Sequence, residues 1–411
     1  MRAVLSNGFN RFHLAPLAGE IQRHGALVGL LTAGWPKGWQ RQLARTFPRS
    51  NAWKRFLDRK EAVEDALVNS FVISELLWNL SRSIGSRLVL PQKTLEAWAF
   101  RSYAWRARMA LGKLRPDLYH YRSCFGLGSV STAKKLGVLN LCDQSIAHPR
   151  VLSYMVENQG RFPPQGGVSP ATLIDRYMQL DLDQAEHVLV NSDFVKQTCV
   201  HAGMRPEKIH VIYLGVDEKF LEGVPVIDLA QIHRREKALM YAGGLQVRKG
   251  VWSLVEVFGD HSRNSLTLVG NAEPALSNHP KILAFQSSKN LHFHGYLSRV
   301  ELAKLMTLHS IFVFPSLCEG SARVIFEAMA CGCYIITTPN AGSIVEDGVH
   351  GRLIPPGDAN ALAAAIDWAV ANKDAVAEIG WRNAQLIRDD YRQCYYGEKV
   401  MALYHRLLRQ E

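Results

Sequence analysis

Two glutamates, Glu319 and Glu327, stand eight positions apart in CEGSARVIFEAMACG (318–332), whose only other charge is Arg323. On one continuous helix that offset spans about 12 Å, too far for a tight acid–base pair. The apolar run IFVFPS (311–316) reads as a strand, so Glu319 falls in the loop at its carboxyl end. A helix is expected from about Ser321 to Gly332, where a glycine suits the C-terminal cap. The amides of Ser321, Ala322 and Arg323 then open the helix beside small side chains, which suits an anion. Glu327, one to two turns inside, offers two acceptor oxygens to a ribose diol. The competing reading gives Glu319 to the helix dipole and leaves Glu327 a solvated surface charge.

A second stretch, YAGGLQVRKGVWSLVEVF (241–258), ends a strand in Gly243-Gly244 and sets Arg248-Lys249 at the start of the next helix. Two cations and free amides at such a turn suit a diphosphate, against the alternative of an exposed basic turn. The order Lys249-Gly250 is not that of a P-loop, and the dinucleotide fingerprint spacing is absent. A third candidate is His148 in LCDQSIAHPRVL, just after the strand-like VLNLCD. A lone histidine is commonly structural, but its place at a strand's carboxyl end suits a ligand contact.

These residues need a scaffold that brings strand ends together. Strand, helix, strand units occur at 3–34 and again at 187–217, where Ser192 caps a helix after HVLVNS. The alternation restarts at KALMYAGG (237–244) and continues through SLTLVG, LHFHGYL, IFVFPS and YIITTP. Two doubly wound parallel sheets with helices on both faces follow, meeting at a central cleft. The first domain is assigned to 1–217 and the second to 218–389. The helical stretch 375–410, with Trp381, Tyr391, Tyr395, Tyr396 and Tyr404 along it, returns from about 390 to join the first.

Of the 411 residues, 47% are hydrophobic and 21% charged, an ordinary globular composition. No apolar run is long enough to span a bilayer and no signal-peptide core opens the chain, so a cytosolic location is expected. The seven scattered cysteines are expected to be free thiols rather than metal ligands. Residues 1–150 hold 23 Lys and Arg against 9 Asp and Glu, while 151–411 hold 25 against 28. All the positive excess lies in the first third, pointing to an anionic partner there. Segments 34–60, with Trp35, Trp39, Phe47, Trp53 and Phe56, and 96–115, with Trp98 and Trp105, interleave aromatic and basic residues. Such segments suit an anionic membrane surface, or else an aromatic core stripe with solvated charges. Nucleic-acid binding through the basic third lacks a recognisable recognition module.

The ordered series NSDFVKQ, AGMRPEKIHVIYLGVD, Lys249-Gly250, FVFPSLCEG, EAMACG and DGVHGRLIPPGD resembles the retaining, nucleotide-sugar-dependent glycosyltransferases of the GT-B fold, family 4. The resemblance runs over nearly the whole chain. It implies that Lys249 and Arg248 hold the donor diphosphate, Glu327 the ribose and Glu319 the donor sugar. It also implies that amides of Ser321, Ala322 and Arg323 face phosphate and sugar, and that backbone at Tyr296-Leu297 meets the base. Gly8 would admit the phosphates, and His148 would contact the sugar. Members often carry an arginine where Gly244 stands and a proline where Tyr334 stands. Asp181-Leu182-Asp183 resembles the metal motif of the other glycosyltransferase fold but sits in a helix-like acidic run and reads as surface charge. The implied chemistry is sugar transfer with retention, without cofactor or bound metal, to a glycan or lipid-linked acceptor at the inner face of a membrane. A catalytically inactive glycan-binding or nucleotide-sugar-binding relative is the alternative.

Overall fold

The computed structural model describes residues 1–10, 12–36, 61–84, 89–235, 237–259 and 264–410. Most of the aromatic-basic segment 34–60 lies outside them. Strands β1 (Ala3–Gly8), β2 (Leu27–Thr32), β3 (Val68–Ser70), β4 (Leu118–Arg122), β5 (Leu139–Gln144), β6 (His187–Val190) and β7 (Ile209–Val211) form one parallel sheet, in the order β3-β2-β1-β4-β5-β6-β7. A second parallel sheet has the order β10-β9-β8-β11-β12-β13. Its strands are β8 (Lys237–Ala242), β9 (Leu266–Val269), β10 (Leu291–His294), β11 (His309–Phe314), β12 (Tyr334–Thr337) and β13 (Gly351–Leu353).

In each sheet the order reverses beside its first strand, between β1 and β4 and between β8 and β11. At such a switch point the loops diverge and leave a crevice outside the strand carboxyl ends. The loops at Gly8, at 243–249 and at 315–322 all leave from these two points.

The continuous apolar strands are buried on both faces, as parallel sheets require. On one face of the first sheet, Leu5, Leu30, Leu118 and Leu141 pack with helices Leu14–Arg23 and Gln393–Gln410. On the other, Val4, Tyr119, Tyr121 and Cys142 meet Phe100, Tyr103 and Leu111 of helix Val89–Leu114. The second core runs from Val216 to Ile387.

The expected helix 375–410 is two helices, Lys373–Asp390 and Gln393–Gln410, broken at Tyr391-Arg392. There the chain crosses back beside its earlier crossing: Val216 N donates to Tyr391 O at 2.7 Å and Gln393 N to Val216 O at 3.0 Å. Gly215 lies so tightly against Arg392 that a Cβ has no room. The weakly periodic segment 218–236 carries two short helices, Glu218–Glu222 and Leu229–His233.

Candidate active site

The loop after β11 is built around backbone contacts. Ser316 Oγ and Leu317 N both donate to the Arg248 carbonyl, at 3.1 and 2.9 Å. Gly250 follows in the left-handed region (φ +76°), and Pro315 occupies the place of its Cβ. That contact explains the Lys249-Gly250 pair: any larger residue would push the basic turn away from the β11 loop.

Gly320 is the second close approach. Its backbone lies against the Ser145 carbonyl, with no room for a Cβ, and its own carbonyl accepts from Ser192 Oγ at 2.5 Å. Asn340 Nδ2 adds a bridge to Gly160 O at 2.8 Å. The Glu319 loop of the second sheet thus rests directly on the β5 loop that carries His148.

Glu319 Oε2 is 2.6 Å from Arg248 Nη1, and Oε1 is 3.6 Å from Lys249 Nζ. Oε1 is buried with no hydrogen-bond partner among the described residues. The two expected diphosphate cations differ. Arg248 is engaged by the loop, with Nη1 also donating to Cys318 O at 3.0 Å. Lys249 lies 5.5 Å over the Phe314 ring and lines a cavity of about 370 Å³ with Gly243, Gly244, Tyr296, Leu297 and Val324. Gly244 adjoins open space: an added Cβ would meet nothing nearer than Asn271 O at 3.6 Å.

The helix begins at Arg323, two residues later than expected, and runs to Ala330. Of the three amides expected to face phosphate, two are engaged: Ala322 N donates to Ala341 O at 3.1 Å and Arg323 N to Ser321 O at 2.9 Å. The chain folds back on the 339–341 turn before it winds into a helix, which delays the start. Ser321 remains, with a buried hydroxyl that has no partner among the described residues.

Glu327 is not a solvated surface charge. It is 5% exposed, and Arg299 Nη2 donates to its Oε1 at 2.7 Å. Arg299 starts helix Arg299–Met306 just after the Tyr296-Leu297 loop and lies 5.5 Å over the Phe220 ring. Sequence reasoning missed Arg299, because its partner is 28 residues away on another helix. Its place at a helix start after a strand was the available signal.

His148 is 1% exposed and caps helix Pro149–Glu157, its Nδ1 accepting from Arg150 N at 3.2 Å. Burial, aided by the Arg150 charge, pushes its pKa down to about 4. The imidazole is therefore neutral, and with Nδ1 accepting, its proton sits on Nε2. That nitrogen is buried and unpartnered among the described residues.

Gly8 (φ +79°) donates its amide to Tyr103 Oη at 3.1 Å, and the Phe125 ring fills the place of its Cβ, so no larger residue fits there. One expectation needs correction. Asp181 is fully buried rather than a surface charge, and accepts from Gly126 N at 2.7 Å and Leu127 N at 2.6 Å. It anchors the start of helix Leu127–Lys135, and burial lifts its pKa to about 7. All seven cysteines are free. No helix among the described residues is long and apolar enough to cross a membrane.

Residues 236–372 match the family model of the Glycosyl transferases group 1, and residues 79–220 that of Glycosyltransferase Family 4. An MMP alpha-(1->4)-mannosyltransferase of Mycolicibacterium hassiacum is 29% identical over 65% of each chain. A putative colanic acid biosynthesis glycosyltransferase, WcaL, of Salmonella typhimurium is 26% identical over 68% of each. Over the first curated relatives the match spans 49 to 65% of their length. Among solved structures, Anabaena Alr3699/HepE in complex with UDP superposes with a TM-score of 0.64 at 16% identity, over 99% of this chain and 100% of that one. Sucrose-phosphate synthase from Thermosynechococcus elongatus gives 0.64 at 18% over the whole of both. The fold is that of the GT-B glycosyltransferases. The two family models match the two halves of the chain in turn, and both describe glycosyltransferases.

Proposed function

We propose that the protein moves a sugar from a nucleotide-diphosphate sugar to an acceptor hydroxyl, with retention at the anomeric carbon. The observation that carries the reading is a set of unsatisfied buried groups on two loops that rest against one another. Glu319 Oε1, Ser321 Oγ and His148 Nε2 lack hydrogen-bond partners among the described residues, although leaving such buried groups without one is costly. A bound sugar with its hydroxyls and phosphate would satisfy an acceptor, a hydroxyl and a donor at once.

In this reading the base lies in the cavity beside Tyr296 and Leu297, and the ribose meets Glu327. Lys249 and the Ser321 hydroxyl face the diphosphate and stabilise the charge that grows as it leaves. Glu319 and His148 hold the sugar hydroxyls and fix its orientation. The acceptor oxygen bonds to the anomeric carbon on the face from which the phosphate oxygen departs. Its proton passes to that phosphate oxygen, so neither a protein base nor a metal is required. The acceptor is a glycan, lipid-linked or in a polysaccharide, presented at the inner face of a membrane.

A panel of UDP-, GDP-, ADP- and TDP-sugars tests this by thermal shift, since a specific ligand raises the melting temperature by mass action. One donor should stabilise the protein and be hydrolysed slowly, with and without EDTA, and the transferred sugar should keep its configuration by NMR. A donor that binds without any turnover would favour an inactive binding relative. No stabilisation by any donor would sink the reading.

A further inference from the structure

Helices Val72–Ile84 and Val89–Leu114 pack side by side, the second against β1 and β2, and their outer surface gathers exposed apolar and basic side chains. On the first, Ile73, Leu76 and Leu80 follow i, i+3, i+7 spacing, all pointing to solvent, with Leu76 61% exposed. On the second, Trp98 and Trp105 are 58% and 57% exposed, and Met109 lies a turn further on. Arg101 and Arg108, also exposed, sit between them on the same stripe. The inner face of that helix is ordinary core: Ala99, Phe100, Tyr103, Ala107 and Leu111 are buried. The outer aromatics are thus not the core stripe that the sequence alone allowed.

We propose that this two-helix face is a docking surface for an anionic lipid bilayer. Leu and Ile side chains enter the acyl boundary, the tryptophans sit at headgroup depth, and the long arginine stems reach back to lipid phosphates. Charge decides against a second copy of the chain as the occupant. Glu96 is the single acidic residue of helix Val89–Leu114 against five Lys and Arg, so two such faces would repel. Each exposed cation near a negatively charged leaflet strengthens the association, and added salt weakens it. The inference needs no assumption about the transfer reaction.

Co-sedimentation with vesicles tests it, with the full-length protein in 150 mM salt. Phosphatidylcholine vesicles containing half phosphatidylglycerol should pellet the protein, and pure phosphatidylcholine should not. Trp98→Ala with Trp105→Ala, and separately Leu76→Ser with Leu80→Ser, should each weaken anionic-vesicle binding at least tenfold. These substitutions are at exposed positions, and an unchanged melting temperature checks that the fold is kept. Wild-type protein that ignores anionic vesicles, or variants that bind as well as wild type, would overturn the proposal. So would a dimer by light scattering that the leucine variant dissociates, since a second copy would then own this face. Loss of donor binding with vesicle binding intact would count against the transferase reading alone.

Discussion

The carboxylate of Glu319 is 2.6 Å from the Arg248 guanidinium, and the same loop binds the backbone and side chain of that arginine. The proposed diphosphate clamp therefore holds a negative charge of its own in the ligand-free protein. Glu319→Gln should release it. Free nucleoside diphosphate is expected to bind a few-fold more tightly, since partly exposed pairs are worth about 1 kcal/mol or less. Turnover should fall about a hundredfold as the sugar loses its fixed acceptor. Calorimetry on the nucleotide and initial rates separate the two effects; a parallel loss of both would contradict the assignment.

Arg299 should act on nucleotide affinity through Glu327 alone. Glu327→Gln is expected to weaken nucleotide binding about tenfold, the scale of one charged hydrogen bond lost. Arg299→Gln should weaken it less and reduce, without erasing, discrimination between the ribonucleotide and its 2′-deoxy analogue. Competition titrations with both analogues give the answer.

His148 fixes a pH window. Its folded pKa of about 4 is below the unfolded value near 6.5, so the folded state favours the neutral ring. Its contribution to stability is complete above about pH 6.5 and is lost as pH falls towards 4. Transfer should accordingly show no histidine limb between pH 8 and 5. His148→Asn keeps the helix cap and removes Nε2, so turnover should drop with the melting temperature nearly unchanged. A rate profile with a midpoint near 6.5 that vanishes in the variant would contradict this protonation state.

Gly244→Arg should improve the clamp. The position is open, its φ is not in the left-handed range, and Lys249 lines the same cavity. Nucleoside diphosphate affinity is expected to rise about fivefold in low salt and return to the wild-type value at 0.5 M. Titration at two ionic strengths is sufficient.

Most strands were legible in the sequence because buried parallel strands are plain apolar runs, and the strand-end loops followed from them; β3, β4 and β13, short or carrying polar residues, were not read. What stayed hidden is what depends on distant partners. Gly250 and Gly320 are glycines because Pro315 and Ser145 occupy the space, and nothing nearby in sequence says so. Asp181 looked like a surface acid because its neighbours are polar, yet its partners are amides 54 and 55 residues away. The two amides taken by the chain's own turn at Ala322 and Arg323 were invisible for the same reason.

The last helix has a consequence for how the protein is made. Tyr404 meets His120 across 284 positions at 2.6 Å, and Tyr396, Val400 and Leu407 seal the face of the sheet that holds β1. The core from Val216 to Ile387 is contiguous and is complete once those residues leave the ribosome. The first sheet, though synthesised first, stays open on one face until the final helix emerges. A chain stalled or clipped near Tyr391 would carry a finished second core and an exposed, aggregation-prone first sheet.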